Sequence, residues 1–369
     1  MKKRRIPIYL LAVINSIAVL ALWMTGFAYY LNPTIFGWLS MAGYAFPMAL
    51  LCVIAFFVVW ILIKKRYLVI SFIGLLVAYV PVTLYWPVNR AQEVPDDTFE
   101  VMSYNTKYWA LEDKDVCWDE QGMNIIMKNI AASGADIVCL QESNPYDGRV
   151  KEELQEFFNP TYQYIDTLNG RGGSVCAILS KYPVKAKELI DIETSGNIVG
   201  AFWLDINGRD VIIINCHLQT MGLSISDREK FSDMMHGNQE TDTMRHTSHV
   251  VFSKILEATK LRTSQAQMVA SFIRMHQNMP MIVCGDFNDI PQSYVRYTIG
   301  KGLTDCYRAT ASGPGYSFSH YGMRVRIDNM LCSPDITPYN CYVEDIQTGS
   351  DHYPIRCRFA ITKPQSVKP

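Results

Sequence analysis

The chain has 369 residues, a hydrophobic fraction of 49% and a formal net charge of −1, which excludes an intrinsically disordered chain and leaves room for more than one structural unit. The charge is unevenly placed: residues 1–86 hold no Asp or Glu and seven of the 34 Lys and Arg, leaving 27 basic against 35 acidic residues, a net charge of about −8, for the rest. Such a balance argues against a general basic surface for polyanions, because non-specific affinity for a nucleic-acid backbone comes from Lys and Arg; a local basic groove stays open.

In chain order, the first elements are three apolar runs, about 6–30, 36–63 and 67–86. Each is long enough to cross a hydrocarbon core of ~30 Å as a helix, which takes about 20 residues. Residues 1–87 are therefore expected to form a membrane anchor with three transmembrane helices. Pro7, Pro47 and Pro81 lie within the runs, which membrane helices tolerate. The first run exceeds the apolar region of a signal peptide, and no A-x-A-like site follows it. Lys2, Lys3, Arg4 and Arg5 precede the first run, and Lys64, Lys65 and Arg66 separate the second from the third. The positive-inside rule then puts the N-terminus and the 64–66 loop in the cytoplasm. Three spans carry the remainder across, giving an integral protein of the inner or plasma membrane with an extracytoplasmic soluble domain; two spans would reverse that placement. The spans contain no charged residue, which favours an anchor over a transporter.

"VNRAQEVPDD" (88–97) reads as a linker, 98–362 as one soluble domain and 363–369 as a tail. Strands are expected at Phe99–Tyr104, Asp136–Gln141, Ser174–Ser180, Gly200–Ile206, Val211–Cys216, Met281–Cys284, Arg326–Leu331 and Ile355–Ile361. Helices are expected at about Asp119–Ser133, Lys151–Phe158, Val250–His276 and Ser293–Gly300. Strands interspersed with helices predict one α/β domain with a buried, mixed sheet. "NGRD" (207–210) predicts a hairpin turn. Residues 219–260 are long for a connection and read as a surface insertion, with a gating lid as the sharper alternative. Its His236, His246 and His249 fit no usual zinc spacing. Cys139, Cys176, Cys216 and Cys284 fall inside apolar runs and read as core residues, whereas Cys306, Cys332, Cys341 and Cys357 are looser candidates for pairing.

Polar residues recur at the ends of the apolar runs. "VMSYN" ends in Asn105, "DIVCLQE" in Glu142, "VIIINCHL" reaches Asn215 and His217, and "MIVCGDFN" ends in Asp286 and Asn288. "RIDNML" carries Asp328, and "GSDH" places Asp351 and His352 just before the final strand. One such case would be a strand cap; six together predict a single site at one edge of a sheet. Asn215 is expected to be structural, Asp289 to cap the next turn or helix, and Asp328 to orient His352 or pair with Arg326. Carboxylate and amide oxygens suit Mg²⁺, Mn²⁺ or Ca²⁺. Histidines beside them suit phosphate contact and proton transfer. Together they point to metal-assisted phosphate-ester hydrolysis.

Taken in order, Asn105, "LQE" with Glu142, "GGSVCAILSKYPV" (172–184), "NCHL", "GDFND", "RIDNML" and "SDH" resemble the endonuclease/exonuclease/phosphatase, or DNase I-like, superfamily over about 98–362. The resemblance implies a four-layer αββα sandwich, two facing sheets flanked by helices, with the site at one rim, here preceded by the three transmembrane helices. It also implies roles. Glu142 would be the main metal carboxylate with Asn105 beside it, and Asp351 would hold the metal directly or through water. Asp286 would orient or deprotonate the attacking water, and Asn288 would fix that water or the phosphate. His352 would bind the phosphate, oriented by Asp328, and His217 would be a general acid or phosphate ligand. The implied cofactor is Mg²⁺ or Mn²⁺, with Ca²⁺ admitted, and the implied partner is a phosphoester: a lipid, a small molecule or a nucleic acid. The fold does not choose among them. The alternatives are an extracytoplasmic nuclease acting on DNA or RNA and an inactive binding module. No protein partner is expected.

Overall fold

The computed structural model describes residues 5–111, 118–120, 123–143, 156–192, 196–222, 224, 226–227, 229–230, 233, 241–320 and 323–362, with the backbone alone at 5–6 and 241–246. The N-terminal part comprises α1 (Arg5–Gly26), the short α2 (Pro33–Phe36), a 3₁₀ stretch Gly37–Ala45, α3 (Phe46–Ile63), α4 (Leu68–Val77) and α5 (Tyr79–Tyr85). Pro7–Tyr30 and Pro33–Ile63 are long and apolar enough to cross a membrane; α4 and α5 make a third crossing if they act as one span, bent by 66°. The third run is thus not the single helix over 67–86 that its composition predicts. Pro81 has no N–H to give and its ring crowds the carbonyl four residues back, so the helix breaks at Ala78. Pro47, by contrast, sits in the first turn of α3, where no N–H is needed.

The C-terminal part holds fourteen named strands among the described residues. They are β1 (Phe99–Asn105), β2 (Ile137–Gln141), β3 (Tyr164–Asn169), β4 (Val175–Ser180), β5 (Val184–Ile190), β6 (Ile198–Ile206), β7 (Arg209–His217), β8 (Met281–Asp286), β9 (Thr304–Asp305), β10 (Phe318–His320), β11 (Met323–Val325), β12 (Asp328–Cys332), β13 (Ile336–Val343) and β14 (Ile355–Ile361). One six-stranded sheet runs β13-β14-β1-β2-β4-β3 and the other β5-β6-β7-β8-β12-β9, with β10–β11 a separate hairpin. Each large sheet has one parallel pair near its middle, β1–β2 or β7–β8, and antiparallel neighbours outside it. Asn207 and Gly208 both have positive φ in the tight turn that joins β6 to β7, as the sequence predicts.

Both faces of the inner strands of each sheet are buried. Ile137, Ile178, Phe202, Ile213, Ile282 and Met330 belong to the core between the sheets. Helix α6 (Ile125–Ala132) covers the first sheet through Ile126 and Ile130. Helices α7 (Thr241–Met275) and α8 (Tyr294–Ile299) cover the second through Ala266, Val269, Phe272, Val295 and Ile299. The four-layer α/β sandwich is the one expected. α6 starts later than predicted because Asn124 caps it, accepting from Ile126 N at 3.0 Å and Met127 N at 3.2 Å. Cys306, Cys332, Cys341 and Cys357 are buried free thiols of the inter-sheet core, so the pairing considered for them is not formed.

The apolar N-terminal part docks on the sandwich. Tyr29 and Tyr30 set their rings 5.4 and 5.0 Å from Tyr297, and Met41 packs with Val251, Ile255 and Leu256 of α7. From the other end of this part, Pro81 O accepts from Gln292 Nε2 at 3.0 Å, Thr83 Oγ1 from Arg308 Nε at 3.0 Å, and Leu84 O from the Arg326 guanidinium. The stretch read as a surface insertion or lid therefore includes part of a seat for the link between α1 and α3. His236 lies outside the described residues, His246 is described by backbone alone, and His249 is exposed, 6.1 Å from the Trp38 ring.

Candidate active site

Register carries the polar residues to one rim. β1 and β2 are parallel with Asn105 opposite Gln141, so Glu142 follows at the end of the neighbouring strand. His217 of β7 lies opposite Asp286 of parallel β8, and Asp328 of antiparallel β12 lies on the other side of Asp286. β14 runs antiparallel to β1, so the turn before it reaches the Asn105 end, where Ser350 Oγ donates to Asn105 O at 2.9 Å.

Backbone strain is concentrated here. Glu142 has φ +48 and Asn288 φ +53, and the run from Lys107 to Ala110 has positive φ throughout. Gly285 has φ +126, and a Cβ there would lie 2.0 Å from Cys216 O. Only glycine lets β8 run this close to β7 and still turn its next residue, Asp286, into the rim.

The side chains form a connected set. Asn105 Nδ2 lies 3.3 Å from Glu142 Oε1 and 3.1 Å from Asp286 Oδ2. Asn288 donates its backbone N–H to Asp286 Oδ1 at 2.8 Å, and its Nδ2 lies 3.0 Å from Asp286 Oδ2 and 2.9 Å from Leu218 O. His352 Nδ1 meets Asp328 Oδ2 at 3.0 Å, while its Nε2 stands 3.7 Å from Asp286 Oδ2. His217 Nε2 is 3.3 Å from Glu142 Oε1. Asp351 is the outer member, 3.8 Å from Lys107 Nζ. All eight residues expected at the site are thus at this rim.

Burial pushes the Asp286 carboxyl up to about 7, with Asp328 adding to the effect and His352 opposing it. Burial disfavours a charged His352, but the Asp328 and Asp286 carboxylates outweigh it and hold its pKa up at about 10. Burial holds His217 below the ordinary histidine value. The three charges Asp286, Asp328 and His352 offer ligand atoms within 4.8 Å of one another. An imidazole kept protonated by two carboxylates is a donor and not a ligand, so this cluster suits proton handling better than ion binding.

Several neighbours escaped the sequence reading. Asn197 Nδ2 sits 3.4 Å from His217 Nε2 and donates to Leu218 O at 2.8 Å. Ser317 Oγ accepts from Asp328 N at 2.9 Å, and the Phe318 ring stands edge-on to His352 at 5.1 Å. An Asn before a strand and a Ser–Phe pair at the start of a short one carry no local signal of such a role. Asn215 is structural, as expected: its amide bonds to Gln141 Nε2, Leu140 O and Ala177 O and ties the two sheets together. Asp289 does not cap the next helix, which Ser293 does; it is buried 3.5 Å from Arg262 Nε and accepts from the Tyr44 hydroxyl at 3.3 Å. Arg326 does not pair with Asp328; it donates to Pro314 O and Leu84 O.

Residues 110–352 match the Endonuclease/Exonuclease/phosphatase family, and residues 8–85 match a Domain of unknown function (DUF8431). No curated protein matches the chain. Among solved structures, the human Nocturnin catalytic domain with bound sulfate is similar at 19% identity, covering 74% of this chain and 97% of that one, with a TM-score of 0.51. A humanized D. rerio TDP2 is similar at 16% identity over 72% of this chain and 100% of that one, TM-score 0.50. An endonuclease/exonuclease/phosphatase from Beutenbergia cavernae DSM 12333 is similar at 16% identity over 72% of each chain, TM-score 0.51. These likenesses speak for the fold.

Proposed function

The chain belongs to the endonuclease/exonuclease/phosphatase family, and we propose that it is a membrane-anchored, divalent-metal-dependent phosphoester hydrolase. The observation that carries this reading is the buried line Asp328–His352–Asp286–Asn288 with Glu142 and Asp351 beside it. An inactive binding module has no need of that line.

The rim also fits a cation. Among the described residues, four carboxylates, Glu142, Asp286, Asp328 and Asp351, face only Lys107 and His352 in their ion pairs, apart from His217, which burial holds below the ordinary histidine value. An anionic phosphate enters such a rim only if positive charge is added, and the oxygen donors match Mg²⁺ or Mn²⁺. Glu142, Asn105 and Asp351 would hold the ion, which when bound polarises a phosphoryl oxygen. Asp286, fixed by Asn288 and Asn105, orients the attacking water and accepts its proton, and a raised proton affinity suits that task near neutral pH. His352, protonated and aimed through Nδ1 by Asp328, donates from Nε2 to phosphate oxygens as their charge grows. His217, its pKa lowered by burial beside Glu142, would serve as a general acid or phosphate ligand.

Docking supports the extracytoplasmic reading. The 27–46 link and the end of α5 both touch the sandwich, whereas α3 carries the chain about 27 Å away to Lys64–Arg66. A link and a domain in contact share one side of the bilayer, and the basic loop is on the other.

The test uses the full chain in detergent with bis-p-nitrophenyl phosphate and p-nitrophenyl phosphate, in Mg²⁺, Mn²⁺, Ca²⁺ or EDTA. Hydrolysis that needs a divalent cation and falls about 10²–10⁴-fold in Glu142→Ala and in His352→Ala is expected. Metal-independent turnover, or near-normal rates in either variant, would overturn the reading.

A further inference from the structure

Between the anchor and the sandwich lies a cavity of about 70 Å³. Tyr44 and Pro47 at the start of α3 and Tyr85 at the end of α5 form its membrane-side wall, and Ile290 and Val325 belong to its domain-side wall. On the membrane-anchored reading these are the points where the spans would leave the bilayer, so the slot would open at the depth where acyl chains meet headgroups and where tyrosines favour the boundary. Among the described residues its lining includes Arg324 and Arg326 and no Asp or Glu.

The two arginines differ. Arg326 is buried, spent on Pro314 O and Leu84 O and stacked 4.2 Å over the Tyr307 ring. Arg324 is exposed and forms no ion pair with any described carboxylate. It stands at the mouth, shared with a wider polar cleft of about 360 Å³ whose lining includes Ser319, Asp345 and Gln347. An apolar slot, a cationic mouth and a polar cleft in series match one kind of molecule.

We propose that this junction is a binding site for a phosphate-bearing membrane lipid, with a chain segment in the slot and the phosphate on Arg324. The phosphate end of the site is separate from the reaction centre. Arg324 pairs with Ser319, whereas Val325 pairs with Phe318, whose partner is His352. Side chains alternate along a strand, so Arg324 points away from the face that His352 shares. Asp345 in the cleft disfavours a second anionic group there and favours a lipid with a single phosphate. The lipid would bridge anchor and sandwich, whether or not the rim hydrolyses anything.

The probe is dioleoyl phosphatidic acid, titrated into the full-length protein in mild detergent and read by native mass spectrometry. One retained lipid per chain is expected. Affinity should fall about tenfold in Arg324→Gln, which removes a charge-assisted contact, and likewise in Val325→Phe, which fills the slot. Lys185→Gln, an exposed charge on β5, should leave it unchanged, and Glu142→Ala should still retain the lipid. Glycerol 3-phosphate at the same concentration should not compete. Unaltered affinity in both slot variants, competition by the headgroup alone, or equal binding of diacylglycerol would overturn the site. Thermal melting of each variant checks that it is folded, and Arg324, being exposed, can be changed without opening the core.

Discussion

His352 illustrates how position decides a residue's chemistry. An exposed histidine titrates near 6.5; this one is held between Asp328 and Asp286 and keeps its proton to about 10. Asp286 is shifted the same way, to about 7 from an ordinary 3.8. Both folded-state values lie above the unfolded ones, so the folded chain binds more protons over this range and its stability falls as pH rises. The Asp286 contribution is lost between about pH 4 and 7, and the His352 contribution, complete below 6.5, is lost as pH approaches 10. In EDTA the melting temperature is therefore expected to be lower at pH 9 than at pH 6, and His352→Gln should flatten the alkaline half. A melting temperature that climbs over that interval would contradict the assignment. Other neighbours, such as Asn197 against His217, could not be found this way from sequence, because their meaning lies in what the fold sets beside them.

At the scale of elements, β8 makes the clearest case. Its run "MIVCGD" is legible as a buried strand and its end as a site, but the need for Gly285 appears only with β7 in place. Gly285→Ala is expected to cost at least about 3 kcal/mol, since it adds a positive-φ penalty to a backbone clash; a melt within a few degrees of wild type would show that β7 can move aside. The strands the sequence reading missed have physical reasons. β5, "VKAKELI", is an edge strand with exposed residues through its middle, and β13, "ITPYNCYV", carries Pro338 and a bulge. Neither shows the apolar run or clean alternation by which a strand is recognised. The third apolar run misled in the other direction: hydropathy counts its length, whereas Pro81 divides it.

The whole molecule joins an apolar N-terminal part to a sandwich that packs against it. Removing residues 1–89 would uncover Val251, Ile255 and Leu256, each worth about 1.5–3 kcal/mol when fully buried. It would also take the Tyr44 hydroxyl from Asp289, one residue past Asn288, and Leu84 O from Arg326. Residues 90–369 alone are expected to melt lower or aggregate relative to the full chain in micelles, and to turn over more slowly per molecule; equal melting and rates would mean that the docking contributes nothing. Topology has its own test. An alkaline phosphatase reporter should be active when fused after residue 90 and inactive after residue 66, and the reverse pattern would place the sandwich in the cytoplasm.

The sequence by itself determined the division into an apolar N-terminal part and a mixed α/β domain, and it marked the eight polar residues at the site. Hydropathy and period are local quantities, and a strand that ends in Asn, Asp or His advertises its end wherever it lies. Tertiary structure alone decided that those ends share one rim, that His352 keeps its proton, that Asp289 is buried against Arg262 and does not cap the next helix, and that the long helix α7 seats the apolar N-terminal part. Each of these depends on groups far apart in the chain, brought within hydrogen-bond or ion-pair reach by sheet register and helix packing, and electrostatic energy depends on that distance in space.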